Sequence, residues 1–247
     1  MANAPADETA ERPAAAIVSP LPSMRLRGCT TDSESFRTID LATEVELPLL
    51  PHCGAFAVVR SKHTHEGVDL YAPHGAPVAA VEAGRVVRIV DLTGPKAQSP
   101  WWLDTQAVMV ASSSWVVCYG EVRARDDLRV GSDVDAGEVI GSGATVLAKD
   151  KGRPRAMLHF EMYRAGYEGM PVSWEPPELQ RPEPLLDPTA QLLPLFASKG
   201  ARAAGATPPA PATELAHGRT AHSLDGDAHP ARAATDSSRA GVRGGSE

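Results

Sequence analysis

The chain has 247 residues, 43% of them hydrophobic, enough for one domain of ordinary size with tails. A net charge of −7 and a pI near 5.6 exclude a general binder of nucleic acid or anionic membranes, which needs the opposite sign. No apolar run approaches the roughly 18–20 residues of a membrane helix, so no membrane span is expected.

Residues 1–22 are rich in Ala, Pro and Glu without periodicity and are expected to be disordered. The segment is acidic where a secretory signal is basic, and its apolar stretch covers only residues 14–18. No standard signal peptide is therefore expected: the protein stays in the cytoplasm or leaves by a non-classical route. Residues 23–50 form a lead-in of mixed pattern in which LATEVELPLLP suggests a short strand. The three cysteines, Cys29, Cys53 and Cys118, lack CxxC spacing and read as reduced thiols, not as a disulfide framework or a thiolate zinc site.

Organised structure is expected over residues 51–197, with 55–59 as its first strand. Short apolar runs then recur between turn signals, at 68–71, 78–81, 85–90, 107–111, 115–119, 128–130, 138–140 and 157–163. They are rich in β-branched and aromatic residues, and several alternate apolar with polar. No stretch of twelve residues in this region keeps a helical period, so an all-β domain is expected. Two segments, 75–87 and 130–141, both read as strand–tight turn–strand units. A Pro-rich stretch then leads to LLDPTAQLLPLF, a terminal helix or turn closing the domain near Phe196. Residues 198–247 hold no aromatic residue and are expected to be a disordered tail, with His217, His222 and His229 solvated in it.

The most informative stretch packs His63, His65, Asp69 and His74 into residues 63–74, with Gly67 between the middle pair. Zinc accepts imidazole nitrogen and carboxylate oxygen, and catalytic sites use three protein ligands. Side chains four apart on a straight strand start about 13 Å apart, so His65 and Asp69 can share an ion only where the chain bends, and Gly67 permits that. Further on, Met157, His159 and Glu161 share one strand face by period two. His159 then points to the site, and Glu161 is the nominee for the carboxylate that orients it. His63 and His74 read as surface residues, although His63 lies on the same side as His65 in an extended segment. Taken alone, an HxxxD pair and one strand histidine are a weak signal, more often ordinary surface and core residues than metal ligands.

The run His65-Glu66-Gly67-Val68-Asp69-Leu70, with Ala72-Pro73-His74-Gly75-Ala76-Pro77-Val78 after it, resembles the HxGxD signature of the lysostaphin-type (LytM) zinc metallopeptidases. That family cuts peptide bonds in bacterial peptidoglycan. AVEAGRV (80–86) continues the signature, 130–141 resembles the family's glycine–valine turn repeat, and Leu158-His159-Phe160-Glu161 matches the end of its HLHFE strand. Leu186-Asp187-Pro188 resembles its closing segment. The resemblance implies zinc (Zn2+) held by His65, Asp69 and His159, in an antiparallel β-sandwich with internal duplication (a duplicated hybrid motif).

Two departures stand out. Active members place further histidines beside the metal; here those positions hold Met157 and Glu121 (YGEV where YGHL is usual). The glycine-rich stretch before the central strands is replaced by Pro100-Trp101-Trp102-Leu103-Asp104, whose tryptophans read as loop anchors. The basic run 149–155 reads as a solvated hairpin tip. The function expected is thus a degenerate zinc-binding domain. It would bind peptidoglycan stem or cross-bridge peptides, or a cell-wall hydrolase, with weak or no hydrolysis. The alternative is an active zinc metalloendopeptidase with Glu121 as its catalytic base; a phosphocarrier role, which needs paired facing histidines, fits this residue set less well.

Overall fold

Strands that alternate apolar and polar residues bury one face by curling a sheet around it. The computed structural model, which describes residues 17–60, 63–174 and 180–197, shows this for the central part of the chain. In order, the elements are β1 (Arg25–Thr30), β2 (Glu44–Pro48), β3 (Val68–Tyr71), β4 (Pro77–Ala79), β5 (Gly84–Thr93) and β6 (Thr105–Ala111). They continue with β7 (Trp115–Ala124), β8 (Asp133–Val134), β9 (Val139–Thr145), β10 (Ala156–Arg164), β11 (Leu185–Leu186) and α1 (Thr189–Ala197). The domain is all-β but for that one helix.

Nine strands form one antiparallel sheet in the order β11-β10-β9-β7-β6-β5-β8, with β3 added to β10 and β4 to β9. The sheet curls because β7 changes partner along its length. Its residues 115–120 pair with β10, and 122–124 pair with β9. The enclosed face holds Val108, Tyr119, Leu158, Phe160 and Met162, all buried. The Tyr119 ring meets Phe160 edge-on at 5.6 Å, a favoured aromatic geometry.

Several expectations change. Residues 55–59 form turns, not a strand, apart from one bridge between Val59 and Thr64. Residues 128–130 form no strand either. The lead-in supplies β1 and β2, which pair in parallel as a separate two-stranded sheet. Within the expected disordered segment, residues 17–22 pack on the domain: Ile17 and Leu21 are buried, Val18 N donates to Val81 O at 2.9 Å, and Ala79 N donates to Pro20 O at 2.9 Å. Residues 1–16 and the tail 198–247, with its three histidines, lie outside the described residues. Among those described, no helix is long and apolar enough to cross a membrane.

Candidate metal centre

The centre is built where β3 crosses β10. The two strands pair antiparallel with Asp69 directly opposite His159, so their side chains leave the same face. His65 arrives from a narrow loop: Ala57 N donates to His65 O, and His65 N to Val58 O, both at 2.9 Å. The crossing needs a residue without a side chain. A Cβ on Gly67 would lie 2.6 Å from Phe160 O and 3.0 Å from the His159 ring.

Three donor atoms converge as a result. His65 Nε2 is 3.0 Å from Asp69 Oδ1 and 3.2 Å from His159 Nδ1, and His159 Nδ1 is 2.8 Å from Asp69 Oδ1. Tetrahedral ligands about 2.0–2.1 Å from a zinc ion stand about 3.3 Å apart, so an ion fits after an outward shift of a few tenths of an ångström. Among the described residues this is the group of His, Cys, Asp and Glu side chains placed to hold a metal.

The surroundings present the right lone pairs. His65 Nδ1 lies 2.8 Å from Ala55 O; a carbonyl only accepts, so this nitrogen carries the proton and Nε2 faces the site bare. His159 Nε2 lies 2.7 Å from Glu161 Oε1, which frees Nδ1 in the same way. Glu161 is itself held, its Oε2 accepting from Tyr163 OH, while Val172 N donates to that phenol at 3.0 Å. On the opposite side Arg60 Nη2 donates to Asp69 Oδ2 at 2.6 Å and to Cys53 O at 2.7 Å. Partners of this kind fix tautomer and orientation in metal sites.

Electrostatics divide the two imidazoles. Burial, helped by the charge of Arg60, lowers His65 to about 4, so its ring is neutral. Burial also opposes charge on His159, but the hydrogen bonds to Asp69 and Glu161 outweigh it and hold that pKa well above the usual value. Burial likewise opposes a charged Asp69, yet His65 and Arg60 beside it hold the carboxyl well below its usual range. Without an ion, a proton on His159 bridges the two carboxylates.

His63 is buried, not at the surface: it is 1% exposed, and burial followed by the Arg60 charge lowers its pKa to about 4. The cause is local. Arg60 N donates to His63 O at 2.8 Å, and Thr64 N donates to Trp174 O at 2.7 Å, tucking this loop under residues 172–174. His74 is exposed, as expected. Met157 sits opposite Tyr71 on the face shared with His159. Glu121 is buried with φ of 62°, at the point where β7 leaves β10 for β9. Such a left-handed non-glycine conformation is uncommon and held only by its surroundings. Trp102 is buried and bridges to Leu147, whereas Trp101 is exposed.

Sequence reasoning missed Arg60 and Tyr163. Tyr163 was findable, since it lies two residues past Glu161 and so on the same face of β10. Arg60 carried no signal, because a loop fold brings it to Asp69.

The model of peptidase family M23 matches residues 63–172. Over this segment, which is less than half of its length, the chain resembles that zinc-dependent peptidase family. No curated protein matches the chain. Among solved structures it is similar to the catalytic domain of the antimicrobial peptidase lysostaphin from Staphylococcus simulans, at 19% identity over 52% of this chain and 79% of that one, with a TM-score of 0.36. A zinc-containing peptidase from Vibrio cholerae is 23% identical over 44% of this chain and 29% of its own, with a TM-score of 0.32. The catalytic domain of the prophage-encoded M23 protein EnpA from Enterococcus faecalis, as a variant, is 20% identical over 48% and 80%, with a TM-score of 0.33.

Proposed function

We propose that this M23 domain holds one zinc ion through His65 Nε2, Asp69 Oδ1 and His159 Nδ1, and binds peptides of the peptidoglycan type with little or no hydrolysis. The observation that carries this reading is the meeting of three donor atoms within 3.2 Å of one another, each already oriented by a second partner. Zinc, when bound, supplies a Lewis acid that polarises a peptide carbonyl. The rest falls to the chain. Ala55 O and Glu161 hold the two imidazoles in ligating form, and Arg60 balances the far oxygen of Asp69.

Peptide cleavage also needs a proton for the departing amine, and Met157 has none to give. Losing a general acid–base group costs about 10²–10⁴ in rate. That shortfall favours a binder. A second reading draws on Glu121, a buried carboxylate at the position where active relatives carry histidine. In it, Glu121 takes and returns the proton, and the domain is a metalloendopeptidase.

Metal analysis paired with a turbidity assay on cross-linked peptidoglycan separates the two. Bound zinc, saturable peptide binding and no clearing support the binder. Clearing by the wild type that is lost in Glu121→Gln supports the enzyme. Absence of stoichiometric zinc overturns both. The double variant Glu121→His/Met157→His is expected to gain clearing activity if the two substitutions are what silenced the site.

A further inference from the structure

Asp69 gives its two oxygens different work. Oδ1 faces the donor group, 2.8 Å from His159 Nδ1 and 3.0 Å from His65 Nε2. Oδ2 accepts from Arg60 Nη2 at 2.6 Å. A carboxylate meets a cation through one oxygen or through both. Here that choice decides whether the three side chains offer three donor atoms or four.

Arg60 is held where it makes the choice. Its Nη2 also donates to Cys53 O at 2.7 Å, which uses both hydrogens of that nitrogen. The next residue in the same turn, Gly54, accepts from Asp69 N at 2.8 Å, and a Cβ on Gly54 would lie 3.2 Å from Asp69 Cβ. One turn therefore anchors both the guanidinium and the backbone of the acid it pairs with. Solvent offers little competition, since the side chains of Arg60 and Asp69 are 21% and 6% exposed. A cation that claimed Oδ2 would have to push the guanidinium off it. That would leave a largely buried charge without its carboxylate, a costly arrangement, and set two positive charges side by side.

Cations differ in how much this matters. Zinc in a catalytic site takes three protein donors and leaves a fourth position open. Calcium takes roughly six to eight oxygen ligands, and manganese suits octahedral oxygen surroundings. For those ions a carboxylate limited to one oxygen is a poor partner; for zinc it is enough.

We infer that Arg60 is a positioning residue that confines Asp69 to ligation through Oδ1, and thereby selects cations that accept three protein donors in four-coordinate geometry over those that need more oxygen. The inference deepens the metal reading proposed above and rests on it. It places control of coordination number, and so of which ion the centre keeps, one residue beyond the three donors.

Cobalt(II) is the probe, because its visible absorption is intense when four-coordinate and weak at higher coordination numbers. Loaded into the full chain after removal of other metal, it is expected to give the intense spectrum. Arg60→Met keeps a flexible apolar stem and removes the donors. That variant is expected to lose most of the intensity, as Asp69 closes on the ion with both oxygens. It should also narrow the preference for zinc over manganese about tenfold, the lower end for altered outer partners. Arg60→Lys, which returns one charged donor to Oδ2, restores the intense spectrum, with folding of each variant checked by circular dichroism. An intense spectrum retained in Arg60→Met, with affinity alone reduced, shows a merely structural role and overturns the proposal, as does an Arg60→Lys spectrum that resembles that of Arg60→Met. A weak spectrum in the wild type overturns it too, and that measurement needs no variant to fold. Failure of the metal reading has another signature: cobalt and zinc do not bind the wild type stoichiometrically, or bind Asp69→Ala equally well, and either result removes the role of Arg60 with it.

Discussion

His159 is the residue on which the proposed metal centre turns, because a proton and a metal ion would compete for its Nδ1. The ring lies between two carboxylates, which hold its pKa well above the usual histidine value despite burial. Below that raised pKa the ring is protonated and the ion must displace the proton; above it the nitrogen is bare. Zinc affinity is therefore expected to rise with pH until the raised pKa is passed, and binding near neutrality to release about one proton. Calorimetry in buffers of different ionisation heat reads this directly, and a binding heat independent of buffer would contradict it. Tyr163 acts one step further out, through its hydrogen bond to Glu161. Tyr163→Phe keeps the ring, which stacks on Tyr167 at 4.5 Å, and removes the hydroxyl that donates to Glu161 and accepts from Val172 N. Zinc affinity is expected to fall about tenfold, the lower end for lost outer partners, and stability by about 1–3 kcal/mol, because Glu161 Oε2 and Val172 N lose a partner. A chelator competition that finds wild-type affinity would remove Tyr163 from the site.

At the scale of elements, the geometry rests on two places where the backbone does something a regular strand does not. The first is Gly67, where β10 comes so close that a methyl group would lie 2.6 Å from Phe160 O. Gly67→Ala is expected to push β3 away from β10, costing about 1–3 kcal/mol as overpacking does. It should weaken zinc binding too, because Asp69 rides on β3. Denaturant unfolding and zinc titration check the two effects, and a variant that unfolds like the wild type would show that the crossing is slack. The second place is Glu121, where β7 exchanges partners. Sequence reading at this scale did well where runs of strand-forming residues last for several positions, as at 68–71, 107–111 and 157–163. It failed at 55–59, where apolar residues carry strand propensity but tertiary demands override it. Ala55 must offer its carbonyl to His65, and Gly54 O must accept from Asp69 N at 2.8 Å, so this stretch turns.

For the whole molecule, the question is whether the metal builds the fold or is received by it. Leu158, Phe160 and Met162 face away from His159 on β10 and are buried with Val108 and Tyr119, an apolar core that includes none of the three donors, unlike small domains that need a metal to fold. Stripping zinc is therefore expected to leave the far-ultraviolet β spectrum intact and to lower the melting temperature by several degrees. The shift follows from mass action, about 2.7 kcal/mol when free zinc exceeds its Kd a hundredfold. Loss of the β spectrum on chelation would mean the opposite order of events.

The sequence by itself determined the all-β class and, through HxGxD and the single strand histidine, which three side chains to watch, because hydrophobic alternation and metal-ligand chemistry are both written locally. It also exposed Met157 and Glu121 as departures. Only the tertiary structure decided that His63 is buried, that residues 17–22 pack on the sheet, and that Arg60 backs Asp69. These are contacts between segments distant in the chain, set by how a curled sheet and its loops close on one another, and no local pattern encodes such a closure.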